Sequence, residues 1–143
     1  MRKEIWFDMD GTIADLYGVD NWLEYLINED TTPYEVAKVL LNMQVLARLL
    51  NRLQTKGFFI GIVSWTSKNG TADYNRRVAE AKINWLKKHL KSVTFDRIDI
   101  IEYGTPKQNN RYGILFDDEA KNRDNWNDTA YDEKNILEIL KAL

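Results

Sequence analysis

The chain has 143 residues, 44% of them apolar and 29% charged, with a formal net charge of −2. That length suits one domain with a sizeable core, and the near-neutral balance leaves no global basic field to hold nucleic acid stably. The lack of cysteine excludes disulfides, thiolate-bound zinc and a thiol nucleophile, and no apolar run reaches the roughly 18 residues of a membrane span. A strand pattern starts at once with no leader pattern before it, so the expected location is the cytoplasm.

Residues 4–9 (EIWFDM) are the first predicted strand, ending on Asp8 and Asp10 beside Gly11. Aspartate is a poor strand residue and neighbouring carboxylates repel, so a site that wants paired carboxylates is expected there. Side chains at i and i+2 of an extended segment point the same way, which turns Asp8 and Asp10 toward one site. Residues 20–28 read as a short helix. Thr32, Pro33 and Glu35 read as N-cap, N1 and N3 of a capping box that opens a second helix running to about Leu41. Residues 16–42 are therefore expected to form a small helical insert over the C-terminal end of the first strand, where a doubly wound sheet binds ligands. The alternative is one long bent helix with no covering role.

Residues 45–56 carry Leu46, Leu49, Leu50 and Leu53 at helical spacing, followed by Gly57 where a C-cap glycine belongs. Residues 58–65 (FFIGIVSW) form a second strand with Ser64 near its end. Residues 71–90 form a helix with Tyr74, Val78, Ala81 and Trp85 along one face. Strands follow at 97–102 and 112–116, the latter running into Asp117 and Asp118. A fifth is expected near 129–132, and a last helix at 133–143. This alternation predicts one α/β domain over residues 1–143: a Rossmann-like three-layer sandwich with a mostly parallel sheet and a minimal helical cap inserted after the first strand.

Carboxylates converging from two strand ends make a hard, anionic oxygen site that suits Mg²⁺. Ser64 and Lys107, on the loop Gly104-Thr105-Pro106-Lys107, add donors for an anion beside the metal. An aspartate nucleophile, an acid two residues on, a hydroxyl, a lysine and a divalent ion are the parts needed to transfer a phosphoryl group through an aspartyl-phosphate.

These four stretches, in this order and at strand ends, resemble the haloacid dehalogenase-like superfamily. They are Asp8-Met9-Asp10-Gly11-Thr12, Ser64, Lys107 and Asp117-Asp118. The resemblance implies that Asp8 attacks phosphorus. Asp10 then protonates the leaving oxygen and later activates water. Mg²⁺ is held by Asp8, the Asp10 carbonyl and a motif IV acid, Asp118 with Asp117 in support. Ser64 and Lys107 bind the phosphoryl group, with Lys68 as the competing lysine, and Gly11 permits the turn that brings backbone N–H groups to the phosphate. Asp10 points away from dehalogenases and ion pumps, toward a phosphatase or a phosphotransferase. Lys82 to Leu90, with Ala14-Asp15 and with Asn122 and Trp126 after the paired acids, resembles the 5'(3')-deoxyribonucleotidase branch. A small phosphorylated substrate, such as a deoxynucleoside monophosphate, is the expected partner. The rivals are a phosphatase acting on a polynucleotide 3'-phosphate and a non-catalytic binding protein that keeps the fold. His89 is expected to be a solvated helix end. Trp22, Tyr25 and Tyr34 are expected to bury the insert against the core, with base stacking as the alternative, and Trp65 is a candidate pocket wall. Oligomeric state is open.

Overall fold

Short apolar runs of Ile, Val, Phe and Trp dictate the centre of the molecule. The structure, a computed structural model, describes residues 3–143. Among the described residues seven strands form: β1 (Glu4–Phe7), β2 (Ala14–Asp15), β3 (Lys38–Val39), β4 (Phe59–Trp65), β5 (Arg97–Ile101), β6 (Ile114–Phe116) and β7 (Thr129–Tyr131). Five of them make one wholly parallel sheet in the order β5-β4-β1-β6-β7. The helices are α1 (Trp22–Ile27), α2 (Thr32–Val36), α3 (Met43–Thr55), α4 (Ala72–His89), α5 (Ala120–Asn125) and α6 (Ile136–Lys141).

Strand alternation divides the core. Ile5, Phe7, Ile60, Ile62, Ile114 and Phe116 pack with the leucines of α3, with Trp85 and Leu86 of α4, and with Ile136 and Leu140 of α6. The opposite face carries Trp6, Val63 and Leu115, covered by Trp126 just after α5. Both faces are thus buried, as continuous apolar strands require. Gly61 stands beside Trp6 in register because a Cβ there would collide with the indole ring. The expected Rossmann-like three-layer α/β sandwich is what forms. No helix among the described residues is long and apolar enough to cross a membrane.

Some boundaries differ from expectation for local reasons. β1 ends at Phe7, because the N–H groups of Thr12, Ile13 and Ala14 all turn back to the Met9 carbonyl. Asp10 is therefore aimed by this turn and not by strand alternation. The N-cap of α2 is Thr31, not Thr32: Asp30 takes both the Thr32 N–H and its hydroxyl, and the Thr31 hydroxyl donates to Glu35. The helix stops at Val36, short of Leu41, because Lys38 and Val39 pair antiparallel with Asp15 and Ala14. Asn42 caps α3 through Val45 N–H, and Gly57 takes the left-handed conformation after its end. His89 is half-buried rather than solvated, with its ring 4.5 Å from Trp85; burial and Lys88 push its pKa down.

The insert is pinned to α4. Glu29 accepts from both the N–H and the hydroxyl of Thr71, Tyr74 Oη donates to the Asp30 carbonyl, and Trp85 Nε1 donates to the Ala37 carbonyl. Leu16 and Tyr34 of the insert pack on Tyr74, Val78 and Ala81. That attachment sets α1 over the strand ends.

Candidate active site

The chain leaves β1 toward β4 and β5 on one side, then returns to lay down β6 and β7 on the other. The crevice at the C-terminal ends of β1 and β6 is thus a topological switch point, where open α/β sheets bind ligands. Asp8 follows β1 there, and Asp117 and Asp118 follow β6.

Asp8 is buried and doubly held. Its Oδ1 accepts from Lys107 Nζ at 2.9 Å and its Oδ2 from Thr12 Oγ1 at 3.1 Å. Lys107, 3% exposed, also donates to Asp117 Oδ2 at 2.8 Å. Asp117 is held by two further donors, Asn122 Nδ2 on Oδ2 and the Glu119 N–H on Oδ1. Asp118 is half-buried; its Oδ1 lies 3.1 Å from the same Thr12 Oγ1, whose single proton is shared between Asp8 and Asp118, while the Asp118 N–H donates to that hydroxyl. Gly11, at φ +80°, carries the chain past these acids; a Cβ there would strike the Asp118 carboxylate. The carboxylate oxygens of Asp8, Asp117 and Asp118 gather within 4.8 Å of one another.

Asp10 faces a different cation. Its Oδ2 accepts from Lys82 Nζ at 2.8 Å, and the same ammonium donates to Ser64 Oγ at 2.7 Å and to the Trp65 carbonyl at 2.6 Å. An ammonium has three protons, so Lys82 is fully satisfied although it is only 1% exposed. The Tyr34 ring lies 5.3 Å from it. The sequence reading gave Lys82 no role in the site. A signal was present: Tyr74, Val78, Lys82 and Leu86 fall at steps of four on α4 and all are buried, so this lysine interrupts an apolar stripe.

The expected phosphate ligands divide. Of Lys107, Ser64 and Gly11, Lys107 lines the cavity, as the nucleophile candidate Asp8 does; Ser64 is turned to Lys82, and neither it nor Gly11 lines the cavity, where Thr66 and Ser67 form the wall at that strand end. The Thr66 hydroxyl is buried and, among the described residues, has no hydrogen-bond partner. Lys68 is exposed at the rim, 6.0 Å from the Tyr103 ring.

Above this floor is a cavity of about 540 Å³. The insert supplies Leu16, Tyr17, Trp22, Leu26 and Tyr34, and the core supplies Trp65 and Tyr103. Tyr17 meets Trp22 edge-on at 5.0 Å, and Trp65 packs on Tyr103 at 4.9 Å. Trp65 and Trp22 do line the cavity; Tyr25 does not.

The electrostatics separate the acids. Burial pushes the Asp8 carboxyl up, but Lys107 outweighs it and holds the group below its ordinary range. Burial raises Asp10 despite Lys82. Burial and the Asp8 charge push Asp117 up to about 6 and Asp118 up to about 8. Lys107 is pushed up: burial opposes its charge, but Asp8 and Asp117 override that. Four carboxylates here face two ammonium groups, an excess of two negative charges when all are ionised. An all-oxygen donor set with that excess fits a hard divalent cation. Comparison with family models and with curated proteins finds no match.

Proposed function

We propose that the protein is a divalent-cation-dependent phosphomonoester hydrolase of the haloacid dehalogenase-like kind, with a small nucleotide as substrate. One observation supports it above the rest: each aspartate after β1 is gripped by its own buried ammonium, Lys107 on Asp8 and Lys82 on Asp10. The two carboxylates share a cavity floor but differ in which influence wins: Lys107 overrides burial at Asp8, whereas burial overrides Lys82 at Asp10. Asp8 is kept ionised, as a nucleophile must be. Asp10 is biased toward its protonated form, as a leaving-group acid must be.

In the first step an Asp8 oxygen bonds to phosphorus, the bond from phosphorus to the leaving oxygen breaks, and the Asp10 proton goes to that oxygen. In the second, water attacks phosphorus and gives its proton to Asp10, and the bond to Asp8 breaks to release phosphate. Lys107 uses two protons on Asp8 and Asp117 and has a third for a phosphoryl oxygen; the Thr66 hydroxyl is a further donor. Asp8 and Asp118, with Asp117 behind them and the Asp10 carbonyl implied by the family resemblance, would hold Mg²⁺, which supplies Lewis-acid polarisation of the phosphoryl group and offsets the excess charge.

The nucleotide assignment rests on the aromatic walls, which suit a planar base. A polynucleotide end would favour a cationic rim, and here Glu29 and Glu119 accompany Lys68. The test is turnover of an aryl phosphate and of a nucleotide and sugar-phosphate panel. Turnover is expected with Mg²⁺, absent after chelation and absent in Asp8→Asn. Activity that survives chelation or Asp8→Asn would falsify this reading.

A further inference from the structure

Lys107 presents a mechanical problem. Its ammonium is buried between Asp8 and Asp117, yet it comes from residues 102–113, which form no helix or strand. Gly104, Asn110 and Gly113 in that segment all take positive φ. A long side chain on irregular backbone keeps its place only if the backbone is held from outside, because fixing such a chain loses conformational entropy.

Side chains hold it at several points; at its C-terminal end Glu4 Oε1 accepts from the Tyr112 N–H at 3.4 Å and Trp126 Nε1 donates to the Gly113 carbonyl at 2.9 Å. Trp65 Nε1 donates to the Thr105 carbonyl at 2.8 Å. Asn127 Nδ2 donates to the Gln108 and Arg111 carbonyls at 2.7 and 3.2 Å. Arg111 Nη1 donates to the carbonyls of Lys107 itself, at 3.2 Å, and of Asn109, at 3.3 Å. Only the last of these contacts grips the residue that enters the site.

Arg111 is fixed in turn by the sheet. Its Nε and Nη2 donate to Asp99 Oδ2 on β5 at 3.0 and 2.8 Å, and its guanidinium lies 5.4 Å from the Trp6 ring of β1. It is buried and does not line the cavity. The planar fork is what lets one side chain face a carboxylate and two carbonyls at once.

We infer that Arg111 is a positioning residue: it clamps the Lys107 carbonyl to β5 and so seats the Lys107 ammonium against Asp8. The kinetic consequence rests on the hydrolase reading above; the structural one does not. Asp99 keeps Arg97 as a partner when Arg111 is removed, so Arg111→Met does not strand a lone carboxylate.

Two measurements test it on the full chain. The first is acetylation by an amine-reactive ester, read residue by residue by mass spectrometry. Lys82 and Lys107, 1% and 3% exposed, should both be protected in the wild type. In Arg111→Met, Lys107 should label at least about tenfold faster while Lys82 stays protected, on the expectation that only the loop is released. Equal gains at both lysines would mean that Arg111 merely holds the fold, and no gain at Lys107 would mean that it holds nothing; either overturns the inference. The second is a double-mutant cycle on aryl phosphate turnover. Arg111→Met should lower kcat roughly 10²-fold, the scale of a misplacement of about 1 Å, and should do nothing further in a Lys107→Ala background. Additive losses would overturn the inference. If the wild type turns over no phosphomonoester, the hydrolase reading fails and the labelling result alone decides the role of Arg111.

Discussion

Asp8 and Asp10 each face a buried lysine, but Lys107 outweighs burial at Asp8 while burial outweighs Lys82 at Asp10, and each pair makes a separate prediction. Asp10→Asn should slow turnover most for substrates with basic leaving groups, because those need the proton in the transition state. Equal losses for good and poor leaving groups would contradict the acid role. Lys107→Ala should cost about 10²-fold in kcat, the scale of losing one preorganised charge-stabilising donor. Lys82 pulls the Asp10 carboxyl down against burial, so removing that cation raises its proton affinity further. In Lys82→Met, the alkaline limb of the kcat profile should therefore move to higher pH; a limb that stays put would remove Asp10 from the acid role. How far these residues were legible differs for a physical reason. Asp8, Asp10, Asp117 and Asp118 stand where apolar strands stop, and charge at a buried strand end is conspicuous. Lys107 stood out through its place between two such ends. Lys82 was hidden because its stem shares a helical face with Tyr74 and Val78, and only its ammonium reaches the acids.

The strands and long helices were legible because each buries a regular stripe, and periodicity needs several turns or alternations to register. The β2–β3 ribbon has two residues per strand, too few to carry a pattern, and it ends α2 by pairing that no local rule announces. The Thr31–Thr32 pair also offers two hydroxyls to one helix start; Asp30, by taking both donors of Thr32, decides between them. Within α1, Trp22 lines the cavity and Tyr25 does not. Stacking is worth about 1–3 kcal/mol per base, and about 1.4 kcal/mol is a factor of ten. Trp22→Ala should therefore reduce kcat/KM for nucleoside monophosphates by roughly tenfold and leave small aryl phosphates almost unchanged. Tyr25→Ala should alter neither. A loss shared equally by both substrates in Trp22→Ala would mean that α1 shapes the catalytic floor and does not select the leaving group.

For the folded protein as a whole, the acid cluster is a stability term whose sign depends on pH and on bound cation. Asp117 and Asp118 have folded-state pKa values raised to about 6 and about 8, well above an unfolded carboxyl near ~4. Between those limits the native state binds more protons than the unfolded one, so stability falls as pH rises. Their stabilising contribution is whole below the unfolded pKa and is lost as pH rises through the folded values. Asp8 and Asp99 act oppositely. Burial raises both, but Lys107 holds Asp8 down and Arg97 and Arg111 hold Asp99 down, so their contribution is lost when acid protonates them. Metal-free protein should thus be most stable on the acid side of neutrality and should lose Tm from pH 6 to 8. Mg²⁺ requires ionised carboxylates, so protons compete with it less as pH rises. A ligand at a hundred times its Kd adds about 2.7 kcal/mol, which at roughly 3 °C per kcal/mol for a domain of this size is about 8 °C in Tm. The rise in Tm with Mg²⁺ should accordingly be small at pH 5.5 and grow to that order by pH 8.5, and it should vanish in Asp118→Asn. Thermal scans across pH, with and without Mg²⁺, measure this directly. A Tm increment that is the same at every pH, or one that survives Asp118→Asn, would place the cation somewhere other than among Asp8, Asp117 and Asp118.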